Sequence, residues 1–158
     1  MNKQRIVIIR IKGKGGLTKQ LVKTLELLRL YKKNNCVVVS NTPEYVGMLT
    51  KVKDVVTWGE LDEKTCNALL EKRGKLPGKM RLDAKYLKEK CKTDFASFTK
   101  DFMSFKKELK DIPGLKLFFK LSPPVKGFER KGVKVPYSLG GVLGYRKEKI
   151  NELVMRMV

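Results

Sequence analysis

The chain opens on an uninterrupted apolar run, Ile6-Val7-Ile8-Ile9, set between Arg5 and Arg10, and Ile11 follows before Gly13-Lys14-Gly15-Gly16 breaks the pattern. β-branched residues closed by a glycine cluster read as a strand running into a turn. Leu17, Leu21, Leu25 and Leu28 then recur at helical spacing with Lys19, Lys23, Glu26 and Arg29 on other faces, which predicts an amphipathic helix. It is expected to end near Lys32-Lys33-Asn34-Asn35, where cations suit the negative end of the helix dipole and asparagine tolerates the exit. Cys36-Val37-Val38-Val39 reads as a second short strand. Thr42 as N-cap, with Pro43 at the first helical position, opens a short helix through Val46, Leu49 and Val52. A third strand is expected over Lys53 to Trp58, completing an α/β unit over residues 1–60 whose helices cover one sheet face.

Asp62 is placed to cap a helix carrying Cys66, Leu69, Leu70 and Arg73 on one side, with Gly74 as its stop. Asp83 caps another, with Leu82 and Leu87 positioned as a hydrophobic staple. Asp94 begins a third, whose Phe95, Phe98, Phe102, Phe105 and Leu109 form a stripe. Its spacing follows one helix face, so it reads as core rather than as a base-stacking platform, and its burial docks residues 61–121 onto the first unit. Leu117-Phe118-Phe119 is short enough to be an added edge strand. From Ser122 onward, Pro123-Pro124, Gly127, Gly132, Pro136, Gly140-Gly141 and Gly144 leave little room for regular structure. Ile150, Leu153, Val154 and Met157 return to helical spacing, so residues 122–158 read as a loop pinned at both ends and a closing helix.

Charge changes this picture most. Thirty-six lysines and arginines stand against sixteen acids in 158 residues, a net charge of +20, with no histidine. A field of that size on so small a body attracts polyanions and strains the folded chain by self-repulsion, which makes RNA or DNA the first candidate partner. The missing histidine removes the side chain that titrates near neutrality and the commonest nitrogen ligand for metals. No serine or cysteine lies in a nucleophile motif, and Asp54, Glu60, Asp62 and Glu63 are explained by caps and strand ends. Cys36, Cys66 and Cys91 form neither a CxxC pair nor a zinc spacing, so they are expected to be buried free thiols in a reducing cytosol. The first apolar run is too short for a signal peptide or a membrane span, which gives a soluble intracellular chain as the expectation.

Gly13-Lys14-Gly15-Gly16-Leu17-Thr18-Lys19 invites comparison with phosphate loops, but it lacks the P-loop gap and its Gly-Lys-Ser/Thr ending. A small nucleotide-binding enzyme using this loop is therefore the alternative reading. Lys12, Lys14 and Lys19 at a helix start are also suited to an RNA phosphate, and a solvated turn is the plain alternative. Three further clusters stand out: Arg29, Lys32 and Lys33 with Lys51 and Lys53; Arg73, Lys75, Lys79 and Arg81 around Pro77-Gly78; and the loop cations Lys120, Lys126, Arg130, Lys131, Lys134 and Arg146. In that loop Tyr137 and Tyr145 are suited to stack on bases, and glycines permit close backbone approach.

Asn41-Thr42-Pro43-Glu44-Tyr45-Val46-Gly47-Met48-Leu49, the run Lys51 to Glu60, Lys134-Val135-Pro136-Tyr137 and Gly140-Gly141-Val142-Leu143-Gly144-Tyr145-Arg146 resemble the large-subunit ribosomal protein L-thirty family, in its longer archaeal and eukaryotic form. Leu28-Arg29-Leu30 followed by Cys36-Val37-Val38-Val39 is similar to the family as well. The resemblance spans essentially the whole chain. It implies an α+β fold built on a small three-stranded antiparallel sheet of ferredoxin-like character, covered by helices, with added helices and a long basic loop. A strand–helix–strand crossover alone suggests parallel pairing, and the resemblance replaces that expectation. It further implies a structural, cytoplasmic constituent of the large ribosomal subunit, monomeric there, with no cofactor, metal, catalytic or membrane site. Its expected partners are large-subunit rRNA, 5S rRNA as a further candidate, and neighbouring ribosomal proteins. Thr42 and the clustered cations above would be the RNA-facing residues.

Overall fold

The computed structural model describes residues 4–158 apart from the Lys79 side chain, and at its centre lies β1 (Arg5–Arg10). β2 (Asn35–Ser40) and β3 (Val56–Glu60) flank β1, both antiparallel to it. Two short strands extend the edges: β4 (Phe119–Lys120) pairs antiparallel with β2, and β5 (Gly144–Tyr145) runs parallel to β3. The sheet order is thus β4-β2-β1-β3-β5. The expected three-stranded antiparallel core is present, but the sheet has five strands and is mixed. The Leu117–Phe119 edge strand is displaced by one residue at its end, and β5 has no counterpart in the sequence reading.

All of β1 is buried because helices cover both faces of the sheet, which is why it reads as a solid apolar run rather than an alternating one. On one face Ile6, Ile8, Val37 and Val56 pack under α1 (Lys19–Leu27) and α2 (Pro43–Val52) through Leu25, Leu49 and Val52. On the other, Val7, Ile9, Cys36 and Val38 meet Cys66, Leu69 and Leu70 of α3 (Glu63–Arg73). Leu87 of α4 (Ala84–Cys91), Phe98 and Phe102 of α5 (Phe95–Met103), and Ile150, Leu153, Val154 and Met157 of α6 (Ile150–Met157) complete that second layer. Of the predicted phenylalanine stripe, Phe98, Phe102 and Leu109 are buried and Phe95 packs against the core, but α5 ends at Met103, so Phe105, left-handed and half-buried, and Leu109 lie beyond the helix. Leu82 and Leu87 are both buried around the start of α4, as a staple would be.

Several boundaries move for local reasons. α1 stops at Leu27, well before Lys32, because Arg29 turns left-handed (φ 60°) and the amides of Arg29 and Leu30 bond back to the carbonyls of Glu26 and Leu25. This is a Schellman close with arginine where glycine is usual. α2 runs to Val52, so β3 begins at Val56 rather than Lys53. Thr18 caps α1 by accepting from the Leu21 amide, whereas Thr42, Asp83 and Asp94 make no side-chain cap bond. Asp94 instead pairs with Lys88 at 3.3 Å.

Two modest predictions follow from these features. The left-handed backbone costs a non-glycine residue roughly 1 kcal/mol, so Arg29→Gly is expected to stabilise the chain by up to about that amount, read as a higher urea midpoint with unchanged slope. An unchanged or lower midpoint would show that Arg29 makes a compensating contact. Burial pushes the Cys36 thiol up, and it pushes Cys66 up to about 12, whereas Cys91 is only half-buried, which corrects the expectation of three buried thiols. A thiol reagent at neutral pH should therefore label one cysteine in the native chain and all three in denaturant.

Candidate nucleic-acid interface

Sheet register sorts the surface charge. β1 ends where β2 and β3 begin, and Asn35 lies opposite Lys120 of β4. Lys12 and Lys14 follow β1, Lys32 and Lys33 lead into β2, Lys51 and Lys53 precede β3, and Lys120 closes the row, so four separate segments deliver lysines to one end of the sheet. Among these, Lys14, Lys32, Lys33, Lys51, Lys53 and Lys120 are exposed and Lys12 is half-buried. The Arg73 guanidinium donates to the Ser122 hydroxyl at 2.7 Å, which ties the cluster of Lys75 and exposed Arg81 to the segment just beyond Lys120. Lys79 carries the same expectation, but its side chain lies outside the described residues.

What shapes this end is a residue the sequence reading passed over. Arg10 is 1% exposed, and its guanidinium donates to the carbonyls of Lys12, Gly13, Leu30 and Tyr31. Among the described residues no carboxylate bonds it, and burial draws its pKa down. Four carbonyls arranged around one cation fix both lysine-bearing loops to the end of β1, and the Asn34 amide bonds the Arg10 carbonyl at 2.8 Å. Its location between an apolar strand and a glycine turn was visible in the sequence; its partners twenty residues away were not.

The opposite end of the sheet differs. Arg5, 2% exposed, is clasped by Glu108 at 2.8 Å and lies between the rings of Phe102 and Phe105, each 4.1 Å from its guanidinium carbon. Glu60 and Asp62 also lie at this end, tied to Asn151 by hydrogen bonds at 3.0 Å. Arg29 falls apart from the lysine row, on a groove beside Ser40 and Glu108, and Thr42, half-buried, lines a separate depression with Asn41 and Thr50. The Thr42 hydroxyl has no hydrogen-bond partner among the described residues.

The basic loop is less free than its glycines suggest. The amides of Ser122 and Val125 bond the carbonyls of Met157 and Arg156, Phe128 packs against the core, and Val142 and Leu143 are buried. Gly141 lies so close to the Val135 carbonyl that any Cβ there would overlap it. Arg146 pins the whole segment: its guanidinium is bidentate to Glu129, donates to the Thr57 hydroxyl at 2.9 Å and the Val142 carbonyl at 3.0 Å, and stacks over the Tyr137 ring at 4.7 Å. At 3% exposure Arg146 is an internal tie, which removes it from the RNA contacts expected of it. Burial pushes the Glu129 carboxyl up, but bonds from Arg146 and its own backbone, with the charges of Arg146 and Arg156, hold it below its usual value. Lys126, Arg130, Lys131 and Lys134 remain exposed, as does Tyr145, whereas Tyr137 is half-buried.

Gly13 and Gly15 face open space and form no cradle, and among the described residues no cluster of three metal-ligating side chains and no helix long and apolar enough to cross a membrane occurs. Fold and charge together define a basic α+β protein of ferredoxin-like character with one lysine-faced sheet end. Residues 6–56 match the model of the family described as ribosomal protein L30p/L7e. The chain is 44% identical over 149 residues to large ribosomal subunit protein uL30 of Methanopyrus kandleri, covering 94% of this chain and 100% of that one. It is 42% identical over 151 residues to the protein of that name from Nanoarchaeum equitans, with 96% and 97% covered, and 44% identical over 154 residues to that of Methanosphaera stadtmanae, with 96% and 98% covered. The chain belongs to the large ribosomal subunit protein uL30 family. That family is a structural component and not an enzyme, so the nucleotide-dependent alternative falls.

Proposed function

We propose that this chain is a structural constituent of the large ribosomal subunit, acting in the cytoplasm, that binds and stabilises folded rRNA. The observation that carries the reading is the convergence of Lys12, Lys14, Lys32, Lys33, Lys51, Lys53 and Lys120 from four segments onto one sheet end in a chain of charge +20. The exposed loop cations Lys126, Arg130, Lys131 and Lys134, with Lys75 and Arg81, extend this surface, so one monomer bridges several RNA segments. Folded RNA hides most base edges, so recognition runs mainly through phosphates, 2′-hydroxyls and shape. 5S rRNA and neighbouring ribosomal proteins are further partners in this reading.

Co-sedimentation tests it. Tagged chain is expected in the large-subunit fraction at low salt, with RNA crosslinks mapping to the loop from Lys120 onward and to the lysine end. A chain found only in the soluble pool would overturn the proposal.

A further inference from the structure

The acidic end of the sheet carries a pocket that the lysine row does not explain. Its walls include Tyr137, Ser138, Tyr145, Glu60, Lys147 and Lys149. Tyr145 is 47% exposed yet held from three sides: its backbone belongs to β5, its hydroxyl donates to Glu60 Oε1, and the Trp58 ring backs it at 6.3 Å. The bond to Glu60 pushes its phenol up to about 12, so it stays a donor at any cellular pH. An aromatic face fixed before binding loses little freedom when something stacks on it. The second oxygen of the same carboxylate, Glu60 Oε2, is buried and has no hydrogen-bond partner among the described residues. That oxygen lies out of a ligand's reach, so the pocket offers the Tyr145 face and the charged rim. Lys147 and Lys149 supply positive charge at the rim, and Glu148 on the same wall offsets part of it.

A flat face and a cationic rim within one pocket match the base and the phosphate of a nucleotide. We propose that this pocket takes a single unstacked base of the bound RNA, laid on Tyr145, with Lys147 or Lys149 on its phosphate. This inference rests on the RNA-binding reading above.

Zero-length ultraviolet crosslinking of large subunits containing the full chain, followed by peptide mass spectrometry, tests both and separates them. The expected result is a nucleotide adduct on Tyr145. RNA adducts elsewhere on the chain with none on residues 137–149 would overturn the pocket alone, and no adduct anywhere would overturn the RNA-binding reading as well. In parallel, a short single-stranded oligonucleotide carrying one 2-aminopurine is expected to lose about 5- to 150-fold in affinity for Tyr145→Ala, the range of one base–aromatic stack. Tyr145→Phe should retain most of that affinity, and Lys147→Gln with Lys149→Gln, which disturbs no packing, should lower it; unchanged binding by that pair would remove the rim from the site.

Discussion

Arg146→Leu is expected to destabilise the chain by about 3–5 kcal/mol, the cost of removing one partner from a buried ion pair. The guanidinium serves Glu129, Thr57, Val142 and the Tyr137 face at once. Without it, the Glu129 carboxylate retains only Arg156 at 3.7 Å as an ion-pair partner among the described residues, and the Val142 carbonyl loses its side-chain donor. Arg146→Lys should recover little, because one ammonium cannot span a bidentate carboxylate and two further acceptors. The loss should appear as a lower urea midpoint together with new protease cleavage between residues 122 and 146. pH supplies an independent check. Glu129 has a lowered folded-state pKa, so its contribution is complete above the ordinary value of 4.5 and disappears as pH falls through the lowered one. Wild-type stability should therefore fall over that acid window and the Arg146→Leu variant should show a smaller fall. Equal acid sensitivity in the two proteins would mean that the pair contributes nothing.

Neutralising the lysine end should weaken RNA binding far more than the same charge removed elsewhere. Changing Lys12, Lys14, Lys32, Lys33, Lys51 and Lys53 to glutamine lowers the net charge from +20 to +14. So does changing Lys85, Lys90, Lys92, Lys100, Lys106 and Lys110, all exposed and none at the lysine end. Each phosphate contact contributes roughly 0.7–0.9 to the slope of log affinity against log salt, so the first set should flatten that slope by about 4–5. Over 50–200 mM salt the wild type should lose ~10³ to 10⁵ in affinity, and the first variant much less. The control set should leave the slope nearly unchanged. If both sets flatten it equally, diffuse charge rather than a sheet-end surface holds the RNA.

Local rules carried far in this chain. The apolar run of β1, the Asp62 and Gly74 boundaries of α3, and the period of α6 each depend on neighbours within a few residues, and the structure places all three where those neighbours require. Long-range partners were not legible. Arg146 differs in no local respect from Lys134 or Arg130, and only the approach of Glu129 and Thr57 turns it inward. Arg5 is likewise defined by Glu108, more than a hundred positions away. β5 is two residues long and exists through its pairing with β3, so no periodicity could announce it. The lysine row became one surface only once strand register was known, because its members are scattered from Lys12 to Lys120.

The four carbonyls gathered by Arg10 carry a last consequence. A guanidinium does not release its proton in proteins, and the chain has no imidazole to sense acidity. The grip at this end should consequently be indifferent to intracellular acidification, weakening with ionic strength but keeping the same conformation from mildly acidic to mildly alkaline conditions.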